Sequence, residues 1–392
     1  FWMWVVALLG MATSFAESTL AQVFKVRNAD GIFRGGPAYY MQRGLALKGR
    51  GGIGRVMGIV FAVMLIFSYG LIFPMVQSNT IAATLDSSHH VSTTATAIIL
   101  MLVTAPILLA GMRFVARVTE WLVPLMALAY LAVVAVVIAV SLPSVPAVFR
   151  DIIAGAFGLR PGLAGVGGGL FATFLNGTKR GLFSNEAGQG TAPNAAATAT
   201  VSHPVRQGLI QSLGVFIDTI VVCTATAFVI LIAGEKVWGS ADVNPSNLTT
   251  LAVAHELGAW TIVPMAILIF VLAYSSIIAA YVYSDTNMSF VFGDARWASW
   301  TVRVVCVASA TIGALLTLDV VWNAVDIAMA VMTITNLVAL VFLARWVLGA
   351  LRDYEGQRRS GVAEPVFVGE KNPLLPGDVP GSVWKRPKQK KK

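Results

Sequence analysis

The run GLFSNEAGQGTAP, from Gly181 to Pro193, gathers a hydroxyl (Ser184), an amide (Asn185) and a carboxylate (Glu186) in an otherwise apolar chain, directly after Lys179 and Arg180. Gly181, Gly188, Gly190 and Pro193 fall where a helix would otherwise be continuous, and that pattern predicts a broken helix. Backbone freed by a break is tolerated at membrane depth only where it is buried in protein or lines a cavity. There its amides and carbonyls can bind a carboxylate and a cation. The alternative is a loop leading into the next helix. Further polar groups sit inside apolar runs. Ser275 and Ser276, in FVLAYSSIIAAYVYSD, offer adjacent oxygens to an alkali cation, or bond back to the preceding turn. Asp218, in GVFIDTIVVCTATAF with Thr219, Thr224 and Thr226, must be paired, protonated, coupled to an ion or held by a neighbouring helix. Gln77 and Asn79 close an apolar run, facing substrate or water. Glu17 is expected to be structural, tied to the broken helix by a hydrogen bond or to Lys179 or Arg180 by an ion pair. Trp322, Asn323 and Asp326 form another polar face, with no role assigned.

Composition supplies the elements that must position these groups. Hydrophobic residues make up 57% of the 392 and charged residues only 12%, against roughly a quarter charged in a soluble domain. The expected fold class is an all-α polytopic membrane protein. Apolar windows of about 20 residues predict nine crossings, near 1–21, 54–78, 94–112, 119–141, 163–199, 207–233, 259–284, 299–317 and 319–350. With Phe1 outside, and Lys179 and Arg180 set aside, 23 Lys and Arg fall on one face and 3 on the other, which makes the first face cytoplasmic. Residues 1–352 then form the transmembrane domain and 353–392 a basic cytoplasmic tail. The tail is expected to be mostly extended or disordered from Tyr354, with KRPKQKKK at its end solvated or touching anionic lipid. Two amphipathic pieces, Val148 to Phe157 and Leu248 to Leu257, are expected to be surface helices capping an outer vestibule. The opening FWMWVV has no basic region or small-residue cleavage site, so it does not read as a signal peptide.

Several function classes are excluded. Cys223 and Cys306 both lie in apolar runs and predict neither disulfide nor metal site, and the four histidines form no zinc pattern. No GxxxxGK[ST], GxSxG or HExxH is present. An intramembrane enzyme would need Ser184 or Glu186 with His203, but His203 precedes Pro204 at a helix edge and no oxyanion arrangement is readable. The net charge of +9 is concentrated in the tail and short loops, which fits a membrane protein and not a nucleic-acid partner. A secondary, ion-coupled process remains.

At GLFSNEAGQGTAP the chain resembles the alanine or glycine:cation symporter family, and WMWVVALLGMATSFAE, GGPAYY, HPVRQG with GVFIDTIVVCTATAF, and the span ending VYSD extend the likeness. The resemblance implies a LeuT-type (APC superfamily) inverted repeat of five plus five core helices, with substrate between the two broken helices, the first and the sixth. GLFSNEAG then belongs to the sixth, and the nine spans are core helices two to ten. The first would precede WMWV, so an N-terminally truncated chain is expected. By the same resemblance Ser275 and Ser276 lie on the eighth core helix, where a sodium ion commonly binds, and Asp218 on the seventh, near a second ion. Ser184, Asn185, Glu186, Gln77 and Asn79 become candidates for substrate contact, with Gly181, Gly188 and Gly190 letting the backbone unwind. The implied function is sodium-coupled symport of alanine or glycine across a bacterial inner membrane, with sodium as coupling ion and no other cofactor. Proton coupling, or a non-transporting sensor or scaffold, are the alternatives.

Overall fold

The computed structural model describes residues 1–29, 31–157, 167–240, 246–316 and 319–385. The chain opens with helix α1 (Trp2–Val23), followed by a short hairpin of β1 (Val26–Arg27) antiparallel to β2 (Phe33–Arg34) and by α2 (Pro37–Ala46). A long helix, α3 (Gly51–His89), leads to α4 (Thr93–Leu109), α5 (Met112–Val140) and α6 (Val145–Ala156). Next come α7 (Gly167–Asn185) and the single turn and a half of α8 (Ala192–Ala196). Beyond them lie α9 (Pro204–Ala233), α10 (Glu235–Trp238), α11 (Leu248–Leu257), α12 (Ile262–Phe292), α13 (Arg296–Gly313) and α14 (Asp319–Arg359).

Six of these, α1, α3, α5, α9, α12 and α14, are long and apolar enough to cross a membrane. The other three expected spans are helical as well. α4 is apolar but has 17 residues, about 25 Å at 1.5 Å per residue, against a hydrocarbon core of about 30 Å. α7 carries Lys179 and Arg180, and α13 carries Arg296 and Arg303. The outward surface has no water-soluble pattern. On α5, Trp121, Leu125 and Leu128 are 78%, 70% and 68% exposed. They recur at helical spacing and form an apolar stripe suited to lipid.

Packing gathers the buried side chains into distinct centres. Phe24, Tyr40, Phe61, Leu65 and Trp346 join α2, α3 and α14 to the end of α1, while Ile81, Leu100, Ile277 and Cys306 join α3, α4, α12 and α13. Cys306 and Cys223 are both free thiols. α1 and α9 approach closely because Gly208 faces Thr19 and Phe15; a side chain there would overlap both. The two small amphipathic pieces are the helices α6 and α11. α6 packs on the start of α1, with Phe149 stacked on Trp4 at 5.7 Å, and α11 is tied to the end of α5 by the Ser141 hydroxyl donating to Glu256 at 2.6 Å. The opposite end of the bundle gathers the basic residues, joined by Arg34–Asp285 (2.9 Å) and by Arg303 donating to the carbonyl of Leu109 (3.1 Å).

Two expectations need correction. The apolar run of α3 ends near Gln77, yet the helix continues to His89, so Gln77 and Asn79 lie within it. The Asn79 amide donates to the Leu316 and Gly313 carbonyls at 2.7 and 3.4 Å, satisfying the end of α13, and the helix is thereby held by packing past its apolar stretch. The second correction is the tail. α14 runs through the expected boundary to Arg359, and the chain then turns at Gly361 (φ 83°) and doubles back. Phe367 and Leu375 are buried, the Phe367 amide donates to Ser202 O (2.9 Å), and Trp384 Nε1 donates to Gln22 O (2.9 Å). Its anchors are single apolar side chains in turns, without a helical or strand period, and so read as disorder in the sequence. Of KRPKQKKK only Lys385, which is exposed, is described; the rest lies outside the described residues. Replacing Trp384 by Ala should free this segment, raising limited-proteolysis cleavage within 361–385 by about tenfold, the effect of losing roughly 1.4 kcal/mol of local stability. Cleavage equal in both proteins would contradict the docking.

Candidate functional site

The helix carrying GLFSNEAGQGTAP is broken between Asn185 and Ala192. Glu186, Gly188 and Gly190 take left-handed backbone angles, φ 54°, 83° and 80°. For a glutamate that conformation costs on the order of 1–2 kcal/mol, and the Glu186 carboxylate offsets it through its bonds. Oε2 accepts from the Thr191 hydroxyl at 2.6 Å, and the Tyr69 hydroxyl lies 3.0 Å from Oε1. Gly190 could not be replaced: a Cβ would run into Pro37 and Phe61. Pro193 starts α8, where its missing N–H costs nothing. Gly181 departs from expectation, since it lies inside α7, where a Cβ would only touch Met3 and Val6 of α1.

The unwound backbone is held from three sides. Glu17, fully buried on α1, accepts from the Gly188 amide (3.3 Å) and from Asn336 Nδ2 (2.8 Å). Asn336, on α14, also donates to Gly188 O at 2.9 Å and receives the hydroxyl of Tyr40 from α2. The structure therefore forms the hydrogen-bonded tie expected of Glu17. Asn336 and Tyr40 were not singled out in the sequence; the available signal was a lone Asn in the apolar run TITNLVAL.

Beside the break lies a cavity of about 460 Å³ lined by Ser184, Asn185, Glu186, Asp218, Ser276 and the rings of Tyr69, Phe73 and Tyr283, among others. An adjoining cavity of about 390 Å³ shares Ser184, Glu186, Asp218 and Ser276 and adds Gln77. Asp218 accepts from Ser184 Oγ (2.7 Å) and Thr219 Oγ1 (2.9 Å), while Asn185 donates to Thr219 Oγ1 (3.0 Å). Thr224 and Thr226 serve packing instead, receiving Trp4 Nε1 at 2.7 Å and meeting the Tyr130 hydroxyl. Among the described residues neither cavity has a lysine, arginine or histidine in its lining. Two carboxylates thus face one space together with the carbonyl end of α7, and the field there favours a cation. No cluster of three His, Cys, Asp or Glu exists among the described residues, so oxygens of hydroxyls and carbonyls would have to complete any cation shell.

Several sequence candidates separate at this point. Ser275 and Ser276 both donate to Leu272 O, at 2.7 and 3.4 Å, but only Ser276 lines the cavities. Asn79 and Gly188 are likewise outside both linings, the first capping α13 and the second held in the clamp. Asp326 is exposed, and the side chains of Trp322 and Asn323 lie outside the described residues. His203, fully buried, pairs with Asp353 (3.1 Å) and accepts from the Val205 amide, far from the partners of Ser184, so no hydrolytic constellation forms. The aromatic wall was not foreseen. Tyr69 stacks on Phe73 at 4.7 Å and meets Tyr283 at 5.6 Å. Tyr69 lies in a π-helical stretch of α3, Ile66–Ile72, and Asp218 in another within α9, Phe216–Cys223. Such insertions often mark functional positions, but their hydrogen-bond shift leaves no trace in residue spacing.

A sequence profile described as the sodium:alanine symporter family matches residues 1–369. The amino-acid carrier protein AlsT of Bacillus subtilis is 41% identical over 389 residues, which cover 99% of this chain and 79% of that protein. An uncharacterized transporter of Escherichia coli, YaaJ, is 39% identical over 387 residues, 98% of this chain and 79% of its own length. The sodium/alanine symporter AgcS of Methanococcus maripaludis is 34% identical over 361 residues, 92% and 78% respectively. The chain spans about four fifths of the length of each of these relatives.

The clamp yields a direct test. Asn336→Ala leaves Gly188 O and one Glu17 oxygen without their buried donor, and should lower stability by about 1–3 kcal/mol. Thermal unfolding of the detergent-solubilised protein reads this out; a melting temperature equal to wild type would remove Asn336 from the clamp.

Proposed function

The chain belongs to the sodium:alanine symporter family, and from that premise we propose that it carries alanine or glycine together with sodium by alternating access. The observation behind this reading is the pair of carboxylates, Glu186 and Asp218, facing one cavity with no lysine, arginine or histidine among the described residues of its lining. Ionised carboxylates at membrane depth need a counter-charge. With no fixed cation, a mobile one supplies it, either sodium or the ammonium group of an amino acid. The zwitterion's own carboxylate then lies beside the sodium, and each ligand raises the other's affinity by the same factor. A small side chain is preferred because Ala192, Gly214 and Ala279 line the cavity, while Phe73 and the tyrosines close it.

In this reading Asp218, Ser276 and the end carbonyls of α7 offer oxygens to sodium, and Ser184, Asn185, Glu186 and Gln77 contact the amino acid. Ser275, Asn79, Gly181 and Gly188 have structural roles. A LeuT-type arrangement would make α7 and α8 the broken sixth core helix, α9 the seventh and α12 the eighth. The basic end of the bundle, where the tail packs, would face the cytoplasm, with the protein in a bacterial inner membrane. Residues 1–352 would form the transport domain. Proton coupling is a second reading, favoured by one observation: the polar contacts of Glu186 with Tyr69 and Thr191 are hydroxyl groups, which suit a carboxyl that binds a proton as well as one that meets sodium.

Uptake of labelled alanine into proteoliposomes tests both. A sodium gradient should drive uptake, and Ser276→Ala should raise the half-saturating sodium concentration by about fivefold, the loss of roughly 1 kcal/mol from one oxygen contact, while Ser275→Ala leaves it unchanged. Uptake driven by a proton gradient without sodium would select the second reading. No uptake under either gradient would point to a sensor or scaffold.

A further inference from the structure

At the basic end of the bundle, away from the helix break, a separate cavity of about 390 Å³ opens between the ends of α4 and α12 and the starts of α5 and α13. It shares no lining residue with the two cavities at the break. Two helices begin on it. α5 starts after Gly111 and α13 after Ala295, and neither has a capping side chain or an acidic residue in its first turn. The partial positive charge of both helix starts is therefore directed at one space with nothing in the first turns to meet it.

Side chains reinforce that charge. Arg34, Arg113, Arg296 and Arg303 all line the cavity, against only two carboxylates, Asp285 and Asp294. Both carboxylates are already engaged. Asp285 accepts from Arg34 at 2.9 Å and from Ser299 Oγ at 2.7 Å, and Asp294 accepts from Ser289 Oγ at 2.9 Å and the Ala29 amide at 3.2 Å. Donors are left over. Nε of Arg34 and Nε of Arg303 are buried without a hydrogen-bond partner among the described residues, while the Tyr281 hydroxyl is turned to the Arg303 guanidinium. Arg34 is 7% exposed and lines the cavity wall. Unpaired buried donors carry a free-energy cost that an incoming acceptor removes.

We propose that this cavity binds the phosphate group of an anionic phospholipid. A phosphate offers several acceptor oxygens at once, which suits convergent guanidinium groups and helix amides better than a single carboxylate does. The lipid source follows from what surrounds the mouth. Phe114, Phe292, Trp297 and Trp300 are 43%, 48%, 56% and 52% exposed on the adjoining helix ends. Aromatic side chains of this kind belong at the boundary between headgroups and acyl chains. The bound headgroup joins α4 and α5 to α13 and, through the Arg34–Asp285 pair, to the end of α12, the helix that carries Ser276.

Native mass spectrometry of the full chain in detergent, titrated with phosphatidylglycerol and with phosphatidylcholine, tests this, with thermal protection by inorganic phosphate as the free-anion arm. Phosphatidylglycerol should bind at least about tenfold tighter than phosphatidylcholine. Arg296→Gln should weaken phosphatidylglycerol by about fivefold and leave phosphatidylcholine unchanged, following the contribution of one basic residue near a membrane surface. Arg303 also holds the Leu109 carbonyl, so R303Q risks misfolding; the exposed Arg296 carries the test without that risk. Phosphate protection lost in R296Q with phosphatidylglycerol binding intact would overturn the lipid assignment in favour of a soluble anion. No effect of R296Q on either ligand would overturn the site.

Discussion

A carboxylate with no exposure to solvent, Glu17, accepts from the backbone of Gly188 and from the side chain of Asn336, and the centre of the molecule depends on it. Unwinding a helix at membrane depth leaves peptide groups without partners, each costly where water is absent. At Gly188 both groups are answered, the amide by Glu17 and the carbonyl by Asn336. With the two peptide groups that flank Gly188 satisfied from α1 and α14, the chain on its N-terminal side is free to present Ser184, Asn185 and Glu186 to the cavity. Without it the same residues would relax toward a continuous helix, in which the left-handed angle of Glu186 has no place.

The buried carboxylates fall into three arrangements, set apart by what each one meets. Asp285 meets Arg34 at 2.9 Å in a fixed ion pair at the basic end. Its charge is neutralised within the fold. Asp218 and Glu186 receive hydroxyl groups, from Ser184 and Thr219 in one case and from Thr191 and Tyr69 in the other. Hydroxyls orient a carboxylate without cancelling its charge, so in the proposed transport reading these two are the groups that would meet a mobile cation. Glu17 is a third arrangement, with an amide and a backbone N–H as partners and no place in the cavity lining.

Those differences explain how far the sequence could be read. The break was legible because Gly188, Gly190 and Pro193 interrupt an otherwise regular pattern, and left-handed angles at the two glycines bear that out. Gly181 looks the same in the sequence but lies within α7, since composition does not distinguish a glycine that bends the backbone from one inside a helix. Ser275 and Ser276 formed an obvious pair, yet helical rotation turns only Ser276 to the cavity. Asn79 is two residues from Gln77 and points instead to the last carbonyls of α13. Tyr69 carries no local signal for its role and Asn336 only that of a lone amide in an apolar run, because each acts through a partner more than a hundred residues away. The docked tail was missed for the same reason: Phe367 and Trp384 are anchors in space, not in sequence period.

α1 links the clamp at the break to the seal at the basic end. From Glu17 the helix continues to Val23 through STLAQV, with no glycine or proline to bend it. Gln22, at its end, donates to the carbonyls of Ala196 and Ala199 at 2.6 and 3.1 Å, and Lys25 donates to Ala199 O at 2.9 Å. Trp384 adds a bond to Gln22 O, and the Lys25 ammonium lies over the rings of Phe33 and Trp384 at 4.1 and 5.0 Å. The segment after α8 is therefore fastened to the same rigid helix that fastens Gly188. A movement that parted this end would have to carry α1 away from residues 196–199, and so strain Glu17 against Gly188, or break at least three hydrogen bonds while α1 stayed. The segment after α8 and the break are therefore fastened to one helix, and in the proposed carrier a movement of the basic end would be felt at Gly188.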